Sequence, residues 1–358
     1  MIDRIIEWSA HNRFLVLLLV FFATAGGIWS LRQSPLDAIP DLSDVQVIVF
    51  TDWPGRSPQI VEDQVTYPII TTMIAAPRVK YVRGESMFGY SFVNVVFEDG
   101  TDLYWARSRV LEYMQGITGR LPEGVSPRLG PDATGVGWVF QYALVDRSHR
   151  HTLADLRSFQ DWYLRYWLAS VDGVAEVASI GGFVKQYQVE VDPATLLAYR
   201  LPLRQVTEAI RRSNNEVGGR LVEFNGTEYL VSGRGYVGSV ADIEKIAVGA
   251  DERGTPILVR DIARVHLGPD IRRGLAELDG EGETVGGVVV MRHGENALRV
   301  IGGVKEKLRE VRKSLPPGVE VVTVYDRSDL IERAVENLWE KLLEEFLVVA
   351  LVTALFLL

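Results

Sequence analysis

Apolar residues form one unbroken run near each end of this chain and shorter periodic stretches between them. The first run, Phe14 to Leu31, carries no charge and lies between Arg13 and Arg32. As a helix rising 1.5 Å per residue it would extend roughly 27 Å, close to the thickness of a bilayer core. The pattern therefore predicts a membrane-spanning helix near the N-terminus.

A cleaved signal peptide is the alternative interpretation of this run, because Ala23 to Ala25 resembles a small-residue cleavage site. Asp3 and Glu7 offset the positive charge that precedes the run, and apolar residues continue past the site to Leu31. Both features favour a helix that is retained.

The second apolar run, Phe346 to Leu358, is too short to span a bilayer by itself. A buried core helix is the alternative, but the run ends without a cap or a breaker, so we expect a second spanning helix that continues beyond Leu358. Apolar residues recur at helical spacing from Leu330 to Leu342 and predict a helix leading into the run. A natural end at Leu358 would instead favour a membrane-anchored interaction module without transport activity.

The central region contains an internal repeat. In the first copy, an apolar strand at Ser91–Phe97 is followed by a polar turn, an amphipathic helix and the segment Leu121–Val125. In the second copy, Gly287–Met291 leads through a similar turn and helix to Leu315–Val319. Both helices place their apolar residues on one stripe, and both copies end in a helix stop followed by a strand.

Each copy needs a partner half to complete two βαβ units. For the first copy, the partner half consists of a strand at Val45–Phe50 and a helix at Pro58–Met73. For the second copy, the partner half consists of Phe140–Leu144, a helix at Leu153–Ala169 and Val174–Ile180. This interpretation gives an α+β chain with two ferredoxin-like subdomains, the second of which is split by an insertion.

The insertion covers residues 182–272 and predicts a subdomain of its own. It holds a strand at Lys185–Val191, a helix at Leu203–Asn214, a long polar loop at Asn215–Ser232 and an apolar segment at Ile257–Arg260.

Composition narrows the range of functions. The formal net charge is −9, which argues against a nucleic-acid partner. The chain has no cysteine, which excludes thiolate metal sites, disulfides and cysteine catalysis. Its residues form no Ser/His/Asp or paired-carboxylate pattern, so we predict no enzyme active site and no catalytic residue.

Candidate metal ligands are few. His149 and His151 form an H-x-H pair in a charged turn and predict solvated histidines unless a third ligand approaches. Thioethers suit Cu(I) and Ag(I). Of the five methionines, Met114 and Met291 lie on apolar stripes and are predicted to be core residues, whereas Met87 lies in a predicted turn at Gly84–Gly89. Met87, His149 and His151 are therefore weak metal candidates.

Several segments of this chain resemble the heavy-metal efflux branch of the resistance-nodulation-division (RND) transporters, and within it the copper- and silver-exporting members. The matching stretches are Pro35–Asp44, Thr51–Gln64, Phe97–Tyr113, Leu129–Trp138, Arg272–Gly287 and Tyr325–Phe346.

The resemblance implies a membrane protein with five parts. They are residues 1–34 with the first transmembrane helix, 35–134 as the first porter subdomain, 135–181 with 273–328 as the second, 182–272 as a docking subdomain, and 329–358 as the start of a second transmembrane helix. Residues about 35–335 would be periplasmic and the helices would cross the bacterial inner membrane.

The resemblance also implies an activity and its partners. The whole protein would be a homotrimer that exports heavy-metal cations in exchange for protons, through a periplasmic adaptor protein to an outer-membrane channel. The metal would be the substrate, with no cofactor. The docking loop would reach into the neighbouring subunit, and its residues here are Asn215, Glu216, Gly218, Gly219 and Arg220.

Some family features lie outside this chain or differ in it. The family's proton-relay residues and main methionine site belong to later segments, so no metal site is assignable and the isolated chain is expected not to transport metal. Zinc and cobalt exporters tend to carry Glu where Trp138 stands, which favours Cu(I) or Ag(I). Ile271 replaces a methionine of the copper-type relatives, which weakens that preference. Export of divalent metals (Zn, Co or Cd) or of organic compounds remains the alternative.

Overall fold

The computed structural model describes residues 2–33, 37–272 and 274–357. The strands are β1 (Gln46–Asp52), β2 (Val79–Met87), β3 (Tyr90–Phe97), β4 (Arg128–Leu129), β5 (Trp138–Asp146), β6 (Val174–Gly181), β7 (Lys185–Val191), β8 (Val217–Phe224), β9 (Thr227–Gly233), β10 (Ala247–Ala250), β11 (Pro256–Leu258), β12 (Ala263–Pro269), β13 (Val285–Met291) and β14 (Val319–Asp326). The predicted boundary between residues 34 and 35 and the predicted start of a segment at Arg273 lie outside the described residues.

Helices occupy both ends of the chain and alternate with the strands between them. They are α1 (Ile2–His11), α2 (Arg13–Gln33), α3 (Pro58–Val61), α4 (Tyr67–Met73), α5 (Leu103–Ile117), α6 (Leu153–Phe159), α7 (Arg165–Ala169), α8 (Pro193–Ala198), α9 (Leu203–Ser213), α10 (Val240–Glu244), α11 (Val259–Ile262), α12 (Ala297–Val311) and α13 (Arg327–Leu357). A π-helical segment, Glu62–Thr66, joins α3 to α4, and another, Gln160–Leu164, joins α6 to α7. Short 3₁₀ turns, Thr118–Arg120 and Arg312–Ser314, follow α5 and α12.

The chain forms two compact units. The first unit contains Met1–Arg150, Phe159–Ile180 and Glu277–Leu358, and the second contains His151–Ser158 and Gly181–Ala276. The second unit therefore occupies most of the sequence between β6 and β13.

Two four-stranded sheets organise the first unit. Their strand orders are β2-β3-β1-β4 and β14-β5-β13-β6. In both sheets the first strand in sequence lies between the third and the fourth, which is the order that two antiparallel βαβ halves produce. The repeat seen in the sequence thus corresponds to two sheets with the same topology.

The first sheet is covered by α5, whose apolar stripe follows the helical period. Asp102 caps this helix by accepting a hydrogen bond from the Trp105 backbone N–H at 2.7 Å. Val110 and Ile117 are buried against alternate residues of β1, among them Val47 and Val49. The periodicity of the sequence predicted this core correctly.

The second sheet has a strand, β13, that is buried along nearly its whole length. The hydroxyl of Tyr142 donates a 2.9 Å hydrogen bond to Gln160 Oε1, and burial raises the pKa of Tyr142 well above its usual value. Gly286 and Gly287 face this tyrosine: a Cβ at Gly286 would lie 2.3 Å from the Tyr142 carbonyl oxygen, and one at Gly287 would lie 2.4 Å from the Tyr142 hydroxyl. The glycine pair therefore permits the close approach of β13 to β5.

Gly286→Ala is expected to lower the free energy of unfolding by about 1–3 kcal/mol, because the added methyl group meets backbone that cannot rotate away. Gly302→Ala is the matched control: no other heavy atom lies within 4 Å of its Cβ position on α12, so alanine should stabilise that helix by up to about 1 kcal/mol. Urea unfolding of the whole chain in detergent, followed by hydrogen exchange, checks both values. An equal effect of the two substitutions would contradict the steric explanation.

Two sequence predictions about local structure were wrong. The region around Gly84 is not a turn but part of β2, and the turn of the β2–β3 hairpin lies at Phe88 and Gly89. The predicted loop Asn215–Ser232 is largely a β-hairpin formed by β8 and β9. The predicted helix over Leu203–Asn214 is confirmed as α9, which ends one residue earlier, at Ser213.

The second unit has its own small core. Strand β7 pairs with β12, β10 pairs with β11, and β8 pairs with β9. Buried apolar residues from β10, β11 and β12 and from α9, α10 and α11 pack together, including Val206, Ile243, Val259 and Ile262. This buried cluster shares no residue with the one that packs against the first sheet.

Helices dominate both termini of the first unit. Within the described residues, Arg13–Ser30 of α2 is the one stretch long and apolar enough to cross a membrane, and none of it is buried in the fold. A signal sequence would satisfy the same test of length and composition. The last helix, α13, is continuous over 31 residues, charged in its first half and apolar from Phe346 onward.

Candidate functional site

The first unit contains an open cavity of about 340 Å³, lined by both apolar and charged residues, which we call the basal cavity. Three segments line it: the chain that follows α2, the loop before β5, and the turn between β13 and α12. Its lining residues are Asp37, Ile39, Pro40, Asp41, Thr134, Val136, Gly137, Met291, Arg292, His293, Gly294 and Glu295. A smaller cavity of about 100 Å³ shares Asp41, Thr134 and His293 with it.

Backbone hydrogen bonds hold the turn after β13 against the loop before β5. The Met291 N–H donates to the Gly137 carbonyl oxygen at 2.7 Å, and the His293 N–H donates to the Asp132 carbonyl oxygen at 2.9 Å. The Asp132 carboxylate accepts a 3.2 Å hydrogen bond from the Tyr104 hydroxyl. These hydrogen bonds fix the backbone of Met291 and His293 at the cavity wall, so the positions from which their side chains extend are fixed as well.

Asp41 is the most strongly anchored carboxylate of the basal cavity. One oxygen accepts a 2.6 Å hydrogen bond from the Thr134 hydroxyl and the other accepts a 3.0 Å bond from the Ser43 N–H. Burial alone would raise the pKa of Asp41, but these hydrogen bonds and the nearby His293 outweigh burial and lower it. Asp41 therefore presents an ionised, fixed carboxylate to the cavity at neutral pH.

Arg292 and Arg327 are the cationic residues nearest to this region. Arg292 pairs with Asp132 at 3.4 Å. Arg327, at the start of α13, has a side chain only 4% exposed and pairs with Asp37 at 3.0 Å. A second amino group of Arg327 donates to the Trp138 carbonyl oxygen at 3.3 Å, so this side chain connects the start of β5 with Asp37.

The structure does not gather the predicted metal candidates into one site. Met87 ends β2 and is 41% exposed. His149 lies in the turn after β5 with a positive φ of 52°, and His151 lies shortly before α6. Across residues 2–33, 37–272 and 274–357, His, Asp and Glu side chains form no group of three that could hold a metal ion.

The prediction that Met291 is a core residue was wrong. Met114 is buried as predicted, but Met291 is only partly buried and lines the basal cavity. The sequence signal that could have identified it is the M-x-H pattern formed with His293 at the end of an apolar strand.

The predicted docking residues lie at the start of the β8–β9 hairpin. Asn215 and Glu216 precede β8, and Gly218, Gly219 and Arg220 belong to it; all five are exposed. A Cβ at Gly219 would lie 2.3 Å from the Val231 carbonyl oxygen, so the close approach of the two strands requires glycine there.

The two residues that bear on metal preference are both exposed. Trp138 opens β5 and is 57% exposed, beside the end of β13. Ile271 follows β12 in the second unit and is 68% exposed.

Comparisons with known proteins give a consistent result. The sequence matches the AcrB/AcrD/AcrF family over residues 5–358. It is 57% identical to "Cation efflux system protein CusA" of Escherichia coli K12 over 100% of this chain and 34% of that protein. It is 41% identical, with the same coverage, to "Cobalt-zinc-cadmium resistance protein CzcA" of Cupriavidus metallidurans.

Solved structures agree with these sequence relatives. A crystal structure of a heavy metal efflux pump superposes on this chain with a TM-score of 0.86 at 32% identity, covering 96% of this chain and 34% of the pump. The chain thus spans about a third of the length of the relatives that it matches.

Proposed function

The chain belongs to the AcrB/AcrD/AcrF family, and on that basis we propose that it forms the N-terminal third of a proton-driven cation exporter of the RND type. The observation that carries the proposal is the 57% identity to the cation efflux protein CusA over the whole chain. The shared fold with a heavy metal efflux pump supports the same conclusion. In this proposal the chain is part of a secondary transporter and not an enzyme.

We further propose that the exported cation is Cu(I) or Ag(I). Identity is higher to CusA and to the putative cation efflux protein SilA of Salmonella typhimurium, at 57% and 56%, than to the cobalt-zinc-cadmium protein CzcA, at 41%. Trp138, where divalent exporters tend to carry Glu, supports a soft monovalent cation, because a carboxylate would suit a harder ion. The metal is the substrate in this proposal and no resident cofactor is needed.

The proposed location is the bacterial inner membrane. The exposed apolar helix α2 fits a bilayer by its length and composition. The two sheets and the second unit, residues about 35–335, would then form the periplasmic part, and α13 would lead back toward the membrane.

The proposed assembly is a homotrimer that works with a periplasmic adaptor and an outer-membrane channel. The β8–β9 hairpin supports a contact between subunits, because it is exposed on both faces and large apolar side chains such as Phe224 and Leu230 are more than two-thirds exposed. A two-stranded hairpin with no covered face is only marginally stable in water. Glu223 also lies directly opposite Glu228, a repulsive cross-strand pair that a neighbouring subunit could compensate.

Residues 1–358 are expected to restore silver and copper resistance when they replace the equivalent third of CusA in an E. coli strain that lacks its own CusA. The reason is that the remaining two-thirds would supply the proton path and the main metal site, which a pump requires besides its porter segments. Growth on graded silver, copper, zinc and cobalt salts measures the result.

The controls for this experiment separate its outcomes. The 358-residue chain alone should give no resistance and no export in proteoliposomes. Resistance to zinc or cobalt without silver or copper would reassign the substrate to divalent metals. A chimera that reaches the membrane as a trimer and protects against none of the four metals would overturn the proposed function.

A further inference from the structure

One set of side chains in the basal cavity has no role so far: the thioether of Met291, the imidazole of His293 and the carboxylate of Asp41. All three line the same cavity. The His293 imidazole makes no hydrogen bond or ion pair within the part of the chain that the structure describes. A fixed carboxylate, a thioether and an uncommitted imidazole therefore face one open, water-accessible volume.

The local structure keeps these three groups available as ligands. The backbone of Met291 and of His293 is held by the hydrogen bonds to Gly137 and Asp132, so the turn is positioned without using either side chain. Asp41 is held by hydrogen bonds from Thr134 and Ser43, but a carboxylate has about four lone-pair sites, so it retains acceptor capacity for a cation. Arg292, which also lines the cavity, is paired with Asp132 at 3.4 Å.

We propose that Met291, His293 and Asp41 form a binding site for a soft monovalent cation, Cu(I) or Ag(I), in the basal cavity. Thioether sulfur selects soft cations and imidazole binds copper well, while the single carboxylate neutralises one positive charge. A hard divalent ion is less suited, because it requires several oxygen ligands. Of the three carboxylates that line the cavity, Asp37 is paired with Arg327 and Glu295 with Arg299.

The position of the site gives it a place in transport. Asp37, another lining residue, lies four residues after the end of α2 in the sequence. In the proposed exporter, a cation arriving from the periplasm would bind between segments of the two porter subdomains, because both contribute residues to the cavity wall. This step rests on the proposed function; the binding site itself does not.

The test is an Ag(I) titration of the full 358-residue chain in detergent, with ¹³C-methyl-labelled methionine and silver nitrate in chloride-free buffer. The chain has five methionines, so the spectrum contains few signals and each can be assigned by substitution. Ag(I) is expected to shift the Met291 methyl signal first. Met291→Leu and His293→Ala should each weaken binding by roughly tenfold or more, since losing even an indirect supporting group costs on the order of tenfold.

Met87 supplies the matched control, because it is 41% exposed and is not among the residues that line the basal cavity. Met87→Leu should leave the affinity unchanged, and the buried Met73 and Met114 signals report whether each variant is folded. A Met87 shift at the same silver concentration as the Met291 shift would mean unspecific thioether binding and overturn the site. An unchanged Met291 signal would overturn it as well.

The two proposals fail separately. Silver resistance of the chimera without a Met291 shift would overturn the site and leave the exporter intact. The opposite result is a Met291 shift in the 358-residue chain, with weaker Ag(I) binding in both variants, while the chimera gives no resistance. That result would support the site and overturn the proposed exporter.

Discussion

Asp37→Ala is expected to lower the free energy of unfolding of the first unit by about 3 kcal/mol, because it leaves the buried guanidinium of Arg327 without a counter-ion. The Arg327 side chain is 4% exposed, and its Nε atom already has no hydrogen-bond partner among the described residues. Among the described residues, the Trp138 carbonyl oxygen would then be the one remaining acceptor for the Arg327 guanidinium. Urea unfolding of the whole chain in detergent, with hydrogen exchange of the β5 and β14 amides as the local readout, measures the change.

Arg327→Met is the control for this prediction. It removes the charge, keeps most of the buried volume, and leaves the Asp37 carboxylate, about a quarter exposed, to be hydrated. We therefore expect a cost of about 1 kcal/mol, smaller than that of Asp37→Ala. Equal costs, or a larger cost for Arg327→Met, would show that the side chain acts by packing and that the ion pair contributes little.

The pair matters because of the segments that it joins. Asp37 follows α2, Arg327 begins α13, and Trp138 begins β5. The adjoining Asp326 is fixed in turn by Lys305 and by the Ser328 hydroxyl at 2.7 Å; burial alone would raise the pKa of Asp326, but these partners lower it. A substitution in this cluster changes the connection between both terminal helices and the second sheet.

The elements that the sequence predicted best are those with a strong period and a clear cap. Helix α12 begins after Asn296, whose side chain accepts a hydrogen bond from the Arg299 N–H at 3.0 Å, and it buries Val300 and Val304 on one stripe. Its counterpart α5 has the same features. In both helices local propensity and tertiary packing agree, so the pattern alone was sufficient.

Strand β2 was missed because its glycine serves packing and not a turn. A Cβ at Gly84 would lie 2.4 Å from Ile70 Cδ1, so glycine lets α4 approach the sheet. In the sequence, Gly84 and Gly89 looked like two ends of one turn, and the polar residues between them hid the strand. Only Gly89, with a φ of 71°, has the backbone conformation of a turn.

The basal cavity depended on contacts that no local pattern contains. Asp41, Thr134 and Met291 are far apart in sequence and meet because the two sheets bring their connecting segments together. The sequence identified Met291 as a residue that could bind soft metals but assigned it to the core, since a strand end and a strand interior have the same apolar period.

Replacing Leu221 and Leu230 together by serine is expected to convert the trimer of the CusA chimera into monomers. These residues face each other across the β8–β9 hairpin and are 59% and 75% exposed. In the proposed trimer we expect the neighbouring subunit to cover them. Burial of each leucine side chain contributes about 2 kcal/mol, and every 1.4 kcal/mol is about tenfold in affinity. Two such losses in each subunit should lower the affinity of the trimer by more than a hundredfold, which native mass spectrometry of the purified chimera detects.

Leu197→Ser provides the comparison, because this α8 leucine in the same unit is 80% exposed but stands outside the hairpin. It should leave the trimer intact and show that loss of an exposed leucine alone has no effect. Hydrogen exchange of α9 and the β7–β12 pair establishes that the second unit remains folded in the hairpin variant. A trimer that survives the double substitution with its second unit folded would exclude this hairpin face from the subunit contact, since no other change in the variant could compensate for the lost apolar surface.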